Sequence, residues 1–232
     1  MRIAVMQPYL FPYIGYFQLV QAVDKFIILD NVQYINRGWI NRNRILMQGE
    51  AKMISFSVCK ARRNRLISER YFSDSFEQEK TKFFRTLQCA YAKAPYYEQA
   101  IRVIEQSLLY ESQNIAEFIT YNLQVLCGYI GIHTPLMFAS QILPKNAKGE
   151  DYILALCDEL NADIYINPIG GQSLYHQDKF YKKHKILHFL CTSDFSYKQF
   201  ENIFIPALSI IDVMMFNDKD SLESLLERYR LL

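Results

Sequence analysis

The order of apolar runs and turns in the first thirty residues constrains the fold more than any other feature. Residues 2–6 form an apolar run typical of a buried strand, and a turn with Pro8 and Pro12 follows. Residues 15–23 place apolar side chains on one side of a predicted helix, and residues 25–29 form a second apolar run. Strand, loop, helix and strand in this order predict the start of a parallel α/β sheet.

The remaining chain extends this pattern. Further strands are predicted at residues 52–58, 135–139, 163–166 and 185–190, and residues 31–44 are polar and irregular. Helical periodicity dominates residues 76–131, where Asn114 and Glu117 have the spacing of an N-cap. Helices are also predicted at residues 152–160 and around Leu222, Leu225, Leu226 and Tyr229. We therefore predict one α/β domain over residues 1–232, with a helical insertion around residues 76–131.

The composition limits the classes of partner and compartment. The chain has 26 basic and 24 acidic residues, and a net charge of +2 is too small to indicate nucleic-acid binding by bulk charge. An odd number of cysteines without zinc spacing predicts free thiols in a reducing compartment. The histidines also lack metal-ligand spacing, so no metal is predicted. Because a signal peptide and a run of ~20 apolar residues are both missing, we expect a cytoplasmic protein without a membrane segment.

The first cluster of candidate site residues lies between the first predicted strand and helix. In open α/β sheets, ligands bind at the carboxyl ends of strands, and anions favour helix N-termini. A proline-rich turn capped by packed aromatic rings is the alternative interpretation. The candidates for substrate or phosphate binding are Gln7, Tyr13, Gly15 and Tyr16.

The second cluster, residues 30–44, follows the second predicted strand and therefore falls on the same edge of the sheet. Arginine binds phosphate or carboxylate through a planar fork of donors, and asparagine offers both a donor and an acceptor to a sugar. A solvated basic loop is the alternative. The binding candidates are Gln33, Arg37, Trp39, Asn41, Arg42 and Arg44.

The third cluster, residues 167–175, follows another predicted strand. Its paired glycines allow close backbone approach or a positive φ, although a plain turn remains the alternative. The binding candidates are Asn167, Gly170, Gly171 and Tyr175. A separate basic run, residues 60–65, also has the charge to meet a phosphate, although such runs are usually solvated loops.

The segment QPYLFPYIGYFQLVQAVDKFIILDNVQYINRGWINRNRIL resembles the opening signature of WbqC-like proteins. Residues 90–96, 165–175 and 208–217 agree with it, so that the resemblance covers nearly the whole chain. Members of this bacterial family occur among genes for O-antigen and other surface glycans. The resemblance therefore implies a role in surface-polysaccharide biosynthesis and leaves the reaction open.

The start of the chain also resembles the nucleotidylyltransferase superfamily, which implies a Rossmann-like N-terminal half. In that superfamily a strand leads into a proline-containing loop and then to His-x-Gly-His at a helix start. Here Tyr13 and Tyr16 replace both histidines, and tyrosine carries no positive charge near pH 7. ATP or another nucleotide thus stays open as a cofactor, with Arg37, Arg42 and Arg44 as sources of the missing charge.

Two functions of different classes follow. One is a transferase or ligase that modifies a nucleotide-linked amino sugar, by acyl or aminoacyl transfer to its amine, with Asp30 or Asp212 as the general base. Capping of a helix or loop is the alternative role for both acids. The second function is a non-catalytic protein that binds a glycan precursor or scaffolds the assembly enzymes. Contact with RNA is a third hypothesis, which the small net charge disfavours, and the sequence leaves the oligomeric state open.

Overall fold

The computed structural model describes residues 1–144 and 147–232. Its strands are β1 (Arg2–Met6), β2 (Lys25–Ile28), β3 (Arg42–Met47), β4 (Glu50–Ser55), β5 (Leu136–Phe138), β6 (Ile164–Pro168), β7 (Ile186–Thr192) and β8 (Tyr229–Leu231). Its α-helices are α1 (Ile14–Gln21), α2 (Phe76–Tyr91), α3 (Tyr97–Ser107), α4 (Ile115–Tyr129), α5 (Ala139–Ile142), α6 (Gly149–Glu159), α7 (Gln177–Lys182), α8 (Ile210–Phe216) and α9 (Lys219–Leu226). None of the helices in the described ranges combines the length and apolar character that a membrane crossing requires.

Six strands form the main sheet in the order β5-β2-β1-β6-β7-β8. The first five strands in this order are parallel, and β8 pairs antiparallel with β7. The first strand along the chain lies centrally, and the chain moves to one side of it before crossing to the other. This arrangement is that of a doubly wound α/β sheet, whose topological switch point lies between β1 and β6. The predicted fold class, an α/β sheet with a helical middle segment, is confirmed.

Alternating side chains of β1 bury the sheet on both faces. Ala4 faces the larger core, which includes α1, α9 and the helical middle segment. Ile3 and Val5 face a smaller core with side chains of α6 and α7. The side-chain period of two along a strand produces this division. A sheet covered on both faces leaves its strand ends as the exposed places for a ligand.

The helical middle segment begins with α2 and ends with α4. The predicted N-cap of α4 is confirmed, because the Asn114 side chain accepts hydrogen bonds from the backbone N–H groups of Ala116 and Glu117, at 3.0 and 3.3 Å. Asn114 also donates from Nδ2 to the Ser68 carbonyl oxygen at 2.7 Å. The Asn114 side chain thereby caps the start of α4 and ties this helix to the segment that contains Ser68.

A two-stranded antiparallel hairpin, β3 with β4, lies outside the main sheet. The sequence predicts an irregular segment up to residue 44, but the structure has a strand at Arg42–Met47. Half-buried Arg42 and Arg44 alternate with buried Asn43 at its start, which is the side-chain period of a strand. The predicted strand at residues 52–58 begins at Glu50 and ends at Ser55. The hairpin carries Arg42 and Arg44 on a rigid element.

The carboxyl-terminal region departs most from the predicted elements. Tyr229 belongs to β8 and not to the last helix, because the chain leaves α9 at Glu227 and turns to pair with Thr192. Helix α8 was not predicted as an element, although its residues are nearly all buried. A helix that is apolar all round gives no amphipathic period to detect.

Candidate functional site

The loops after β1 and β2 interlock at the carboxyl edge of the sheet. The backbone N–H of Leu10 donates to the Ile40 carbonyl oxygen at 3.0 Å, and the Asn43 side chain donates to the Phe11 carbonyl oxygen. Asn43 is buried, so these bonds lie away from water. The structure therefore brings the first two sequence clusters together, as their positions after neighbouring parallel strands predict.

A cavity of about 410 Å³ opens beside this junction. We call it the edge cavity, and it is lined by Gln7, Val32, Gln33, Tyr34, Ile35, Asn36 and Arg63. Gln7 and Gln33 are binding candidates from the sequence. Arg63 and Asn36 are additions, and the run at residues 60–65 was the signal for Arg63. Amide groups and one guanidinium thus share a cavity at the end of the central strand.

Five side chains at the carboxyl edge of the sheet form a group that we call the basic–aromatic cluster: Tyr9, Tyr13, Trp39, Arg42 and Arg44. The guanidinium carbons of Arg42 and Arg44 lie 5.5 and 5.8 Å from the centre of the Trp39 ring. The Trp39 ring lies 6.2 Å from that of Tyr9 and is 45% exposed. Both arginines therefore present charge beside an accessible indole face, an arrangement that suits a planar anionic ligand.

Backbone carbonyl oxygens hold the two arginines in place. Arg42 donates from Nε to the Gly38 carbonyl oxygen at 2.6 Å and from its terminal nitrogen to the Arg37 carbonyl oxygen. Arg37 supplies this carbonyl from a left-handed backbone conformation, with φ of 62°, and its own side chain is exposed. Arg44 donates to the Ala207 carbonyl oxygen at 3.4 Å, and its buried Nε has no acceptor within the described residues.

Burial raises the pKa of the tyrosines in this region further above neutral pH. It raises the pKa of Tyr9, and a nearby Tyr13 adds to the rise, while Arg44 and Arg42 oppose it. Burial also raises the pKa of Tyr13 and of Tyr16. Phenols whose pKa lies above the ordinary value of about 10 stay protonated at neutral pH. They can therefore donate a hydrogen bond to an anion but carry no charge.

The two tyrosines that replace the motif histidines differ in access. Tyr16 is buried, and its hydroxyl donates to the Gln7 carbonyl oxygen at 3.0 Å. Tyr13 is half-buried at the start of α1, and its hydroxyl makes no hydrogen bond within the described residues. Only Tyr13 is available to a ligand. Tyr16 instead holds the backbone of Gln7 against the first helix.

Gly15 lets this helix start approach the end of β7. A Cβ atom at this position would collide with the Tyr13 ring and would lie 2.7 Å from the Thr192 hydroxyl oxygen. Thr192 in turn donates to the Gln18 side chain at 2.7 Å. Gly15 thus has a packing role beneath Tyr13, and Thr192 is a residue that the sequence did not single out.

Asn41 is engaged in the frame of the site. Its side chain accepts from the Tyr34 hydroxyl at 2.7 Å and donates to the Phe56 carbonyl oxygen at 2.6 Å. These two bonds join the loop between β2 and β3 to the segment that follows β4. These bonds leave one N–H and one acceptor lone pair of the half-buried Asn41 amide for a ligand.

The third cluster lies at the same sheet edge, after β6, but forms its own network. Asn167 accepts from the Tyr165 hydroxyl at 3.0 Å, and the hydroxyls of Tyr165 and Tyr175 lie 3.0 Å apart. Gly170 and Gly171 lie in a 3-10 helix, Ile169–Leu174, and neither has a positive φ, so this part of the expectation was wrong. The close approach holds for Gly171, where a Cβ would collide with the Asn167 amide. Within the described ranges, no hydrogen bond joins these residues to the first two clusters.

Both candidate bases are engaged in structural bonds. Asp30 is 3% exposed, and its carboxylate accepts from the backbone N–H and the hydroxyl of Ser140, at 3.0 and 2.5 Å. It therefore sits at the first turn of α5. Asp212 is 0% exposed and accepts from the Tyr91 hydroxyl, the Tyr197 hydroxyl and the Gln199 amide, at 2.8, 2.6 and 2.6 Å.

The sheet order and its flanking helices define an α/β protein of the doubly wound class, with its candidate site in the loops that follow β1 and β2. The chain belongs to the WbqC-like protein family, which it matches over residues 7–224. It is 30% identical over 220 residues to uncharacterized protein Rv1507c of Mycobacterium tuberculosis (strain ATCC 25618 / H37Rv), and the match covers 93% of each chain. No solved structure gives a significant match.

The burial of Asp212 predicts a specific pH dependence of stability. Burial raises the pKa of this carboxyl, while the donors Tyr197, Tyr91 and Gln199 oppose the rise. The folded chain therefore holds the proton more tightly than the unfolded chain, and the stability from this group falls as pH rises above about 4. Urea unfolding of wild type and Asp212→Asn at several pH values should show a free-energy difference that declines with pH and then flattens. A difference independent of pH would contradict this burial.

A matched pair of glycine substitutions tests the packing at Gly15. Gly15→Ala should lower the free energy of unfolding by about 1–3 kcal/mol, because the added methyl group displaces Tyr13 or Thr192. Gly128→Ala, in α4, should raise it by about 0.5–1 kcal/mol through helix propensity, because the new Cβ meets nothing within 4 Å apart from its chain neighbours and the backbone of its own helix. Chemical denaturation of both variants measures the contrast. A Gly15→Ala variant as stable as Gly128→Ala would exclude the close approach.

Proposed function

We propose that this protein binds a nucleotide-linked sugar at the carboxyl edge of its sheet and modifies it in surface-polysaccharide assembly. The reaction we propose is that of a transferase or ligase, which places an acyl or aminoacyl group on a sugar amine. Family membership supports the pathway, since WbqC-like proteins occur among surface-glycan genes. The pairing of Arg42 and Arg44 with the exposed Trp39 ring is the observation that carries the ligand class.

The size and lining of the edge cavity fit such a ligand. Its volume of about 410 Å³ lies within the range of about 300–1,000 Å³ for small-molecule sites. Gln7, Gln33 and Asn36 offer amide donors and acceptors to sugar hydroxyls. Arg63 offers a planar fork of donors to a phosphate.

The basic–aromatic cluster supplies the complementary part. The exposed face of Trp39 suits stacking of a nucleobase, and Arg42 and Arg44 lie beside it for a diphosphate. The Tyr13 hydroxyl, which is protonated at neutral pH, is a further donor toward an anion. In the proposed arrangement the sugar occupies the edge cavity, the base stacks on Trp39, and Arg63 and Arg42 are the candidates to hold the diphosphate.

The nucleotidylyltransferase likeness adds less to this proposal than the arginines do. Of the two motif tyrosines, Tyr16 is buried and bonded to the Gln7 carbonyl oxygen, which leaves Tyr13 alone near a ligand. ATP therefore ranks below a nucleotide-linked sugar among the ligands proposed.

The position of the acids favours a second candidate function. Acyl transfer to an amine forms an N–C bond and breaks the bond between the acyl carbon and the leaving group of the donor, which departs with the electron pair. The amine also loses one proton, which a base must accept. Asp212 is fully buried, and we do not propose it as that base. Asp30 is the remaining candidate, and Ser140 already occupies both of its oxygens. This engagement favours a protein that binds the glycan precursor without catalysis.

Thermal shift measurements test the ligand class. The panel consists of ATP, CTP, UDP-sugars, dTDP-sugars and dTDP-amino sugars, and a ligand at 100 times its Kd stabilises the folded state by about 2.7 kcal/mol. A nucleotide-linked sugar should raise the midpoint, and Arg63→Ala should weaken binding about tenfold or more through loss of a charge-assisted hydrogen bond. Arg102→Ala, exposed on α3, is the matched control. A shift with ATP alone, or with no member of the panel, would overturn the proposed ligand.

A turnover assay with the stabilising sugar separates the two functions. If Asp30 is the base, Asp30→Asn should lower turnover by about 100-fold or more while the thermal shift by the sugar persists. The control is Ser140→Ala, which removes a hydrogen-bond donor but keeps the carboxylate. Binding without turnover by the wild-type protein, across acyl and aminoacyl donors, would leave the binding function and exclude the enzyme.

A further inference from the structure

The charges of this chain are strongly segregated along the sequence. Residues 31–66 hold eight lysine and arginine side chains and one acidic side chain, Glu50, whereas the other residues hold 18 basic and 23 acidic ones. The net charge of +2 therefore averages a basic segment with an acidic remainder. An expectation about nucleic acid that rests on the net charge alone misses this asymmetry.

The fold gathers most of these charges on one surface. The backbone N–H of Tyr34 donates to the Arg65 carbonyl oxygen at 3.0 Å, and the Gln33 amide donates to the Arg63 carbonyl oxygen at 2.7 Å. Residues 60–65 thus lie against the loop between β2 and β3, which carries Trp39. We call this surface the basic face, which consists of Arg37, Trp39, Arg42, Arg44, Lys60, Arg62, Arg63 and Arg65.

Carboxylates do not neutralise the basic face. Within the described parts of the chain, its side chains form a single ion pair, between Arg65 and Glu69 at 3.0 Å. Most of its other cations are exposed. Like charges held this close repel one another, and a bound polyanion relieves that repulsion.

A buried cation next to the basic face gives an independent indication. Arg70 is only 5% exposed, and its guanidinium carbon lies 4.6 Å from the centre of the Tyr34 ring, which lines the edge cavity. It donates to the Cys59 carbonyl oxygen at 2.7 Å, forms no ion pair within the described residues, and its Nε has no acceptor. A buried charge without a counterion is costly. A phosphate on the adjoining surface would offset that cost.

We propose that the basic face binds a single-stranded RNA segment, with its phosphates on the arginines and a base stacked on Trp39. Arginine rather than lysine dominates the face, and its planar donors match phosphate oxygens. An exposed indole between guanidinium groups fits an unstacked base, which single-stranded RNA offers. The face consists of loops and one hairpin strand, an irregular surface that suits a flexible RNA chain. This inference does not rest on the small-molecule function, although both use the same sheet edge.

Fluorescence anisotropy with the full chain and a labelled single-stranded RNA of about 15 nucleotides tests the proposal. Binding should weaken steeply between about 50 and 200 mM salt, with a slope of log K against log salt of about −0.7 for each phosphate contact. The double variant Arg62→Glu with Arg63→Glu should lower the affinity at least about tenfold and flatten this slope. Trp39→Ala should lower the affinity about tenfold and leave the slope unchanged, because base stacking carries no charge.

The control variant combines Lys93→Glu with Arg102→Glu, which changes the net charge equally at exposed positions in the helical middle segment. Circular dichroism of each variant confirms that it is folded. Absence of binding at low salt, or equal losses in the control and the basic-face variant, would overturn the proposal. Binding to phosphatidylserine vesicles but not to RNA would assign the face to a membrane surface instead. RNA binding that fails while a nucleotide sugar still raises the thermal midpoint would leave the small-molecule function intact.

Discussion

The buried carboxylate of Asp212 connects parts of the chain that are distant in sequence. It accepts hydrogen bonds from Tyr91 at the end of α2 and from Tyr197 and Gln199 in the loop before α8. The Tyr91 hydroxyl also accepts from the backbone N–H of Leu46 in β3, at 2.8 Å. Helical middle segment, hairpin and carboxyl-terminal region therefore meet at one polar centre. Such a network stabilises a structure only when every member is satisfied, and here both carboxylate oxygens have donors.

The candidate site depends on this centre through the hairpin. Leu46 is a buried residue of β3, the strand that begins at Arg42. The hydrogen bond from the Leu46 backbone N–H to the Tyr91 hydroxyl therefore fixes the strand that carries the arginines. A second anchor is Ser209, whose backbone N–H donates to the Arg44 carbonyl oxygen at 2.9 Å. The backbone of the arginines beside Trp39 is thus fixed by strand pairing, and loop carbonyl oxygens hold their side chains. Preorganised donors lose less entropy when they bind an anion.

Sequence patterns predicted the sheet better than the site. Apolar runs identified β1 and β2 almost to the residue, because buried parallel strands are apolar on both faces. The start of β3 at Arg42 was missed because Asn43, a buried residue of this strand, is polar. The alternation of buried and half-buried residues is therefore not an alternation of apolar and polar ones. Asp212 was read as a possible base, but its neighbours Ile211 and Val213 were the signal for burial. Arg63 joins Gln7 only through pairing between residues 33 and 66, a tertiary contact that no local pattern encodes.

The central place of β1 in the sheet has a consequence for how the chain folds. This strand pairs on one side with β2, a short distance along the chain, and on the other with β6, where Arg2 lies opposite Ile164. Pairing β1 with β6 closes the long stretch of chain between Arg2 and Ile164. Closing this loop costs entropy before the pairing contributes any stability, and such non-local contacts slow folding. Until β6 arrives, one edge of β1 remains open, with Ile3 and Val5 uncovered on the face that α6 later packs against. A chain in which β6 has not yet paired with β1 exposes an open strand edge, a feature that makes partly folded chains prone to aggregate.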